Sequence, residues 1–430
     1  MSDDKAAAAG AAARRPVVGM VGGGQLARMT AQAAVGLGIE FRVLADTAAD
    51  SAAQVCVGTQ IGDYRLADDV LSFGSGCDVV TFDHEHVPAE HLLELERLTA
   101  VRPGGPALRF AQDKAAMRRR LSELDALIRL RVRCPRFRPV TELAEVVQFA
   151  GAEAVAQSAA SGADRAGGSG DADRDGESGR AGRWPVVLKA TSGGYDGKGV
   201  WVCADEETAA DVLSHGIGLI AEEYVAFDRE LAVLVARSPK GQGAAYPVVQ
   251  TVQQEGICRE VIAPAPDLDQ DVAMRAQQLG LSVAAELGVT GLLAIELFQT
   301  GNDLIVNELA MRPHNSGHWT IDAATTSQFE QHLRAVLDLP LGSPALRTRS
   351  AVMVNVLGGD DPDLHSRLVH VMAADPEAKV HLYGKQVRPG RKVGHVTVAG
   401  HDAWQLRDRA WRAANYLSLG TEEPDERGAR

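Results

Sequence analysis

The sequence predicts a mixed α/β and α+β protein: a doubly wound N-terminal unit, a longer central region of alternating strands and helices, and a small β-rich C-terminal region. Three observations carry that prediction. Pro16-Val-Val-Gly-Met-Val21 is a short apolar strand that Gly22-Gly-Gly-Gln-Leu26 turns into a helix, the opening of a βαβ unit. Lys189-Ala-Thr-Ser-Gly-Gly-Tyr-Asp-Gly-Lys-Gly-Val200 is a glycine-rich loop held between two strand-like runs, Pro185–Leu188 and Val200–Cys203. After Pro344, strand patterns recur over Ala351–Leu357, Val380–Tyr383 and Val393–Val398.

Taken in order, the first helix runs to about Leu37, and Ile39–Ala45 is the next strand, ending at Asp46. Val79–Phe82 reads as a later strand of the same sheet. Asp83-His-Glu85-His follows at its C-terminal end, the edge where open α/β sheets collect ligands. Pro88–Thr99 is helical and Pro103-Gly-Gly-Pro106 breaks it; Ala107–Leu124 is an amphipathic, basic helix carrying Lys114 and Arg118–Arg120. Gly151–Gly182 is Ala, Gly, Ser, Asp and Arg with almost no large apolar residue. Such a segment cannot offset its ordering entropy, so a disordered surface insertion is expected. Leu219–Ala221, Leu231–Val235 and Tyr246–Gln250 read as strands and Asp271–Leu287 as a helix. Gly291–Phe298 and Asp303–Leu309 pair across Gln299-Thr-Gly-Asn302, and Ala403–Tyr416 closes the chain as a helix. The expected organisation is a disordered leader over 1–15, domains over 16–110, 111–344 (with the insertion at 151–183) and 345–418, and a loose tail over 419–430. No internal repeat is present.

Composition narrows the function classes. At 430 residues, 45% hydrophobic and 23% charged, the chain can bury a real core and divide into domains of ~150 residues. A net charge of −13 argues against nucleic acid as the main partner, so an anionic substrate must be met by local cationic clusters. Five cysteines, odd in number and without a CxxC pair, point to a reduced, cytoplasmic setting and not to a disulfide framework or zinc ribbon. The leader lacks the apolar core of a signal peptide, and no apolar run approaches the ~20 residues that cross a bilayer.

The chemistry concentrates in few places. Glycines let backbone amides approach phosphate oxygens while a lysine supplies a point charge, which suits Lys189 and Gly194–Val200. The flanks read strand–loop–strand, so this is neither a Walker loop nor a dinucleotide fingerprint; a glycine-tipped hairpin is the bland reading. Glu222, Glu223, Tyr224 and Val225 follow an apolar strand and could bond an adenine edge, with Glu230 reaching a ribose hydroxyl; a Glu-Glu pair is otherwise a solvated face. Glu296 and Glu308 lie inside apolar strand patterns, where an unpaired carboxylate is costly. With the turn between them both can point to one side, and with Asn307 they make a Mg²⁺ site of hard oxygens; a salt bridge to arginine is the structural alternative. Met311-Arg-Pro-His-Asn-Ser-Gly-His-Trp-Thr320 adds one arginine, two histidines, an asparagine and a serine beside that site. Lys385, Arg388, Arg391 and Lys392 crowd a glycine/proline loop in an acidic protein, which suggests a phosphate-bearing substrate over a merely solvated loop.

These motifs resemble the ATP-grasp superfamily, and within it the 5-(carboxyamino)imidazole ribonucleotide synthetases of bacterial purine synthesis. The resemblance rests on Gly22–Leu26, Gly193–Gly199, Asn307–Trp319 and Val387–His395, in order over most of the chain. It implies a preATP-grasp (Rossmann-like) domain, an ATP-grasp module of two α+β subdomains, and a small C-terminal β-rich domain. It implies ATP contacts at Lys114, Lys189, Gly194, Tyr195, Asp196, Gly197, Lys198, Gly199, Val200, Glu222, Glu223, Tyr224, Val225, Glu230, Gln253, Asn307 and Glu308. Mg²⁺, with Mn²⁺ as a substitute, would sit on Glu296 and Glu308. The ribonucleotide would meet Gln25, Leu26, Glu85, Arg312, His314, Asn315, Ser316, Lys385, Arg388 and Arg391. Asp196 and His314 are the expected proton carriers, and Lys385 or Arg312 would steady the carboxylate. The implied reaction uses ATP and bicarbonate to carboxylate aminoimidazole ribonucleotide through carboxyphosphate, in a homodimer, with no nucleic-acid or membrane partner.

The chain departs from the family pattern twice. Gln253 stands where a histidine is frequent, and Asp83 pairs with Glu85 where two glutamates are common. A second reading within the superfamily is another carboxylate–amine ligase such as a formate-dependent glycinamide ribonucleotide transformylase, which should not need the His314–Trp319 segment. A non-catalytic dinucleotide-binding regulator is a third reading. It is disfavoured because Gly22 and Gly24 are followed by Ala27, and because it leaves Glu296 and Glu308 unexplained.

Overall fold

The computed structural model describes residues 14–124, 127, 129–151, 184–194 and 197–421. The expected leader up to 13, the insertion over 152–183 and the tail from 422 therefore lie outside the described residues, as do Tyr195 and Asp196. Among the described residues the strands form three sheets.

The first is five-stranded, parallel and N-terminal: β1 Val17–Val21, β2 Glu40–Ala45, β3 Gly58–Ile61, β4 Val79–Phe82 and β5 Ala100–Val101, in the order β3-β2-β1-β4-β5. The order reverses beside β1, so the loops after β1 and β4 open at the same C-terminal edge. Gly22 makes that crevice possible. Its φ is +109°, and a Cβ there would lie 1.7 Å from Asp83 Oδ1. The edge strand β3 and the helix Ala67–Ser75 went unread in the sequence, because β3 is short and nowhere fully buried, with no apolar alternation to see.

The helix expected over Pro88–Thr99 stops at Leu95. The basic segment Ala107–Leu124 is two helices, Gly105–Gln112 and Lys114–Ser122, and not one. Asp113 divides them: its backbone is extended and its carboxylate accepts the Ala116 N–H at 2.9 Å, capping the second helix. That break turns Lys114 and Arg118 inward.

Next come β6 Val132–Arg133, β7 Phe137–Val140, β8 Val186–Ala190, β9 Val200–Cys203 and β10 Leu219–Glu223. Four of them form the antiparallel sheet β7-β10-β8-β9 over a core of Val140, Val186, Leu188, Cys203, Leu219 and Ala221. The third sheet takes in β6 and the rest: β11 Arg229–Arg237, β12 Gly243–Ala245, β13 Val249–Gln254, β14 Ile257–Ala263, β15 Gly291–Thr300, β16 Asp303–Ala310, β17 Ser350–Leu357, β18 Lys379–Leu382 and β19 Lys392–Gly400. Its order is β18-β19-β17-β14-β13-β11-β15-β16-β6, with β12 paired to β11. The C-terminal strands thus continue the central sheet through the β14–β17 pairing.

The strand expected at Tyr246 begins only at Val249. Tyr246 is instead buried, its hydroxyl donating to the Thr326 carbonyl at 2.9 Å, and Pro247 removes a ladder donor. The helix Gln270–Glu286 covers one face of the central sheet, and a single apolar cluster runs from Val17 and Leu44 through Met117 and Leu121 to Leu231 and Ile295. The closing helix Ala403–Leu419 packs on β17 and β19 and ends at Gly420 in the left-handed conformation, three residues beyond the expected Tyr416.

Candidate active site

Lys189 leaves β8 with its ammonium turned into the space between the second and third sheets. Its Nζ lies 2.8 Å from Glu222 Oε2 and donates to Asn307 Oδ1 at 3.0 Å. Glu222, on β10, is held from its other side by Arg118, which is fully buried. Arg118 Nε and Nη2 donate to the two carboxylate oxygens at 2.6 and 3.1 Å, and Nη1 and Nη2 donate to the carbonyls of Val306 and Asn307 at 2.8 and 2.6 Å. Burial opposes the Glu222 charge, but Lys189 and Arg118 outweigh it and hold the carboxyl at about 2. Burial lowers the Lys189 pKa against the pull of Glu222.

The Glu222 carboxylate, expected near the nucleotide, is committed to these two cations, and its backbone lies in the ladder between β7 and β8. Glu223 is likewise engaged, by Arg133 and by Arg136 at 3.1 Å. A cleft of about 550 Å³ runs along Glu223–Ala226, walled by Trp184, Arg133 and Ile305.

Across the site, β15 and β16 place Glu296 directly opposite Glu308, with a register shift immediately after Glu296. Glu308 meets the Lys114 ammonium. Glu296 lies 3.5 Å from His314 Nε2 and accepts from Asn307 Nδ2 at 3.4 Å. Burial, reinforced by the Glu308 and Glu230 charges, pushes Glu296 up to about 7. Glu230 is also raised to about 7 by burial, against the hydrogen bond from Gln253, which does here what any donor at that position can do. Three converging carboxylates with too little positive charge between them are a donor set that suits a hard divalent cation.

Of the glycine loop, Gly194 and Gly197–Val200 are described, with Gly197 and Gly199 at φ +74° and +77°. Gly197 rests on the β13–β14 turn so closely that a Cβ on it would come 2.8 Å from Gly256 Cα. The loop is thereby folded over toward Gln253 and Glu230, and Lys198 and Val200 are exposed on it.

The crevice of the first sheet closes the other end. The Gly24 N–H donates to Asp83 Oδ2 at 2.6 Å, and burial raises Asp83 to about 6. Arg312 Nε donates to Glu85 Oε2 at 2.9 Å. Lys385 reaches across from the β18–β19 loop to Gln25, and the Ser51 hydroxyl and Gln54 amide bond the carbonyls of Tyr383 and Gly384. Leu26 is buried against Met29, Phe329 and Tyr383, so only its backbone is offered to a substrate. His314 Nδ1 lies 2.9 Å from Ser316 Oγ. Both amide atoms of Asn315 are buried without an ordinary hydrogen-bond partner among the described residues, the Cys258 thiol lying alongside. Arg388 and Arg391 are exposed and bond Gln386 of their own loop, at its side chain and carbonyl respectively.

Two residues of the site escaped the sequence reading. Arg118 follows Lys114 by one helical turn, and that spacing was the available signal. Gln328 is buried and clasps the backbone of His314 in both directions at 2.9 and 2.8 Å while meeting His318 Nδ1 at 3.0 Å; nothing local in the sequence marks it.

Comparison with known proteins agrees with this geometry. Residues 16–112 match the ribonucleotide synthetase preATP-grasp domain, 175–329 the ATP-grasp domain and 351–409 the phosphoribosylaminoimidazole carboxylase C-terminal domain. The N5-carboxyaminoimidazole ribonucleotide synthase of Mycobacterium tuberculosis is 49% identical over 417 residues, 94% of this chain and 88% of that protein. Two solved structures are similar as well. The N5-carboxyaminoimidazole ribonucleotide synthetase of Thermus thermophilus has a TM-score of 0.75 at 35% identity, covering 95% of this chain and 100% of that one. The N5-carboxyaminoimidazole synthase of Aspergillus clavatus, in complex with ADP and 5-aminoimidazole ribonucleotide, has a TM-score of 0.76 at 29% identity, covering 94% and 98%. Among the described residues no helix is long and apolar enough to cross a membrane.

Proposed function

The chain belongs to the N5-carboxyaminoimidazole ribonucleotide synthase family of ATP-grasp proteins, and from that premise we propose how its own side chains divide the work. It is an ATP-dependent ligase that carboxylates 5-aminoimidazole ribonucleotide in purine biosynthesis; the formyl-transferring alternative is set aside. The observation that carries the assignment of roles is the convergence of Lys189, Lys114 and the opposed Glu296 and Glu308 on one space.

Bicarbonate is a poor electrophile, so it is first activated: its oxygen takes the γ-phosphoryl group as the bond to ADP breaks. The amine of the ribonucleotide then forms a C–N bond to the carboxyl carbon, of carboxyphosphate or of CO₂ released from it; phosphate departs and the nitrogen sheds a proton. Lys189 and the Gly194–Val200 backbone hold the phosphates, and Arg118 acts through Glu222 to fix Lys189. Glu296 and Glu308, with Asn307 beside them, would hold Mg²⁺ or Mn²⁺, which would supply charge neutralisation at the transferring group. Gln25, Glu85, Arg312 and Lys385 take the ribonucleotide, Arg312 and Lys385 steadying the carboxylate. Arg388 and Arg391 meet its phosphate from the loop rim. His314 is the assigned carrier of the amine proton, with Ser316 at Nδ1 fixing the ring, and Asp196, outside the described residues, is assigned a proton role on the sequence alone. The loop seated on Gly256 excludes water from carboxyphosphate. A cytoplasmic homodimer, divided at about residues 110 and 344, completes the reading; the unpaired cysteines support the compartment and the family resemblance supports the dimer.

Phosphate release from ATP·Mg²⁺, measured with bicarbonate and aminoimidazole ribonucleotide and in parallel with formate and glycinamide ribonucleotide, tests it. Release that depends on the imidazole and consumes its free amine is expected. Release with glycinamide ribonucleotide alone would overturn the reading.

A further inference from the structure

A cluster of imidazoles lies outside the catalytic space just described. His381 on β18 and His395 on β19 are directly opposed in the ladder, their rings stacked with centroids 4.6 Å apart and planes 15° from parallel. Asp322, in the short helix Thr320–Ala323 after the Trp319 segment, brings Oδ2 to 2.9 Å from His381 Nε2. One ligand atom each of Asp322, His381 and His395 lies within 4.8 Å of the others. His318 stands behind them, its ring 5.1 Å from that of His395.

Two atoms of this cluster have no explanation in the protein alone. His395 and His318 are fully buried, and the Nε2 of each has no hydrogen-bond partner among the described residues. A buried ring nitrogen left unpaired is costly. His395 Nδ1 is 2.7 Å from the Tyr383 hydroxyl; with Nδ1–H donating to that oxygen, Nε2 keeps its lone pair. A carboxylate or hydroxyl holding the far nitrogen is the arrangement that orients ligating histidines.

We propose that Asp322, His381 and His395, with His318 beside them, bind one borderline transition-metal cation such as Zn²⁺, at a site distinct from the Glu296–Glu308 pair. The donor set excludes Mg²⁺ and Ca²⁺, which take oxygens, and selects a metal that accepts imidazole. Burial, with His314, Lys392, His381 and Arg312 adding to it, keeps His318 neutral; burial with His381 and His318 does the same for His395. Neutral imidazole is the ligating form. The cationic neighbours Lys392 and Arg312 work against a bound cation, so the site depends on coordinate bonds to nitrogen more than on net charge. Metal–nitrogen distances of about 2.0–2.1 Å require the three ligand atoms to rearrange around the ion, and the partly exposed Asp322 and His381 leave an entry path. A cation there joins the Thr320–Ala323 helix to the two strands that flank the loop of Lys385, Arg388 and Arg391.

The inference is independent of the ligase assignment. Untagged full-length protein is stripped with a chelator, loaded with Zn²⁺ under excess Mg²⁺, desalted and analysed for metal, alongside His381→Gln and Asp322→Asn. Retention of about one Zn²⁺ per chain, with affinity at least tenfold weaker in either variant, is expected. Co²⁺ added to the native protein should give the ligand-field absorption of a site with nitrogen donors, a readout that stands even if a variant does not fold. No retained Zn²⁺, equal retention in folded variants, or an all-oxygen Co²⁺ spectrum would overturn the proposal, and a buried water would then satisfy the orphan nitrogens.

Discussion

Arg118 spends its guanidinium on Glu222 and on two carbonyls of β16, so one buried side chain sets the distance between the lysine strand and the carboxylate strand. Arg118→Met should leave Glu222 half-neutralised in a dry site, costing about 3–5 kcal/mol in urea unfolding and raising the KM for ATP. Arg118→Lys should recover part of the stability but less of the KM, because a point charge cannot bond the carboxylate and the carbonyls together. The same triad gives a pH signature. The folded Glu222 carboxyl, at about 2, lies below its ordinary value of 4.5. Its stabilisation is therefore complete above about pH 4.5 and is lost as pH falls toward 2, on the order of 3 kcal/mol in all. Denaturant melts between pH 6 and 3 should show the larger part of that loss in the native protein, and Glu222→Gln should flatten it. At Glu296 the expectation concerns rate: Glu296→Gln should lower kcat by about 10²–10³ with the fold intact, measured by phosphate release and circular dichroism.

Among the elements, the β15–β16 hairpin does the most for the site. Antiparallel register sets Glu296 against Glu308, and the shift after Glu296 lets Asn307 lie between them without losing the pairing farther along. The glycine loop between β8 and β9 depends on a different fit, backbone on backbone, where Gly197 meets Gly256. Gly256 is at φ +74°, and a Cβ added to it would come 2.8 Å from Gly197 Cα. Gly256→Ala should therefore unseat the loop. Its expected result is a rise of several-fold in phosphate release without ribonucleotide, against an unchanged far-ultraviolet spectrum; tightly coupled turnover in this variant would show that the contact does not govern closure. Element by element, apolar runs and glycine turns were legible, whereas the divided helix at Asp113 was not, because the amphipathic pattern runs on through the break.

At the scale of the whole molecule, three stretches far apart in sequence close one crevice. Lys385 touches Gln25, the carbonyls of Tyr383 and Gly384 receive Ser51 and Gln54, and Arg312 meets Glu85. On the proposed assignment of roles, the C-terminal loop and the first sheet would together form the ribonucleotide end, and the second and third sheets the nucleotide end. Lys385→Ala should accordingly raise the KM for aminoimidazole ribonucleotide at least tenfold and leave the KM for ATP within about twofold, in steady-state assays varying one substrate at a time.

The sequence by itself determined the order of the units, the glycine turns, the lysine loop and the two strand glutamates, since each is a local pattern whose physics needs only its neighbours: period, turn chemistry, and a charge where a strand should be apolar. Tertiary structure alone decided that Glu222 faces Arg118 and Lys189, that the C-terminal strands extend the central sheet, and that Gln328 holds His314. Those are contacts between residues from 14 to 104 positions apart, where the partner of a buried polar group is fixed by packing, and no pattern along the chain records which partner that is.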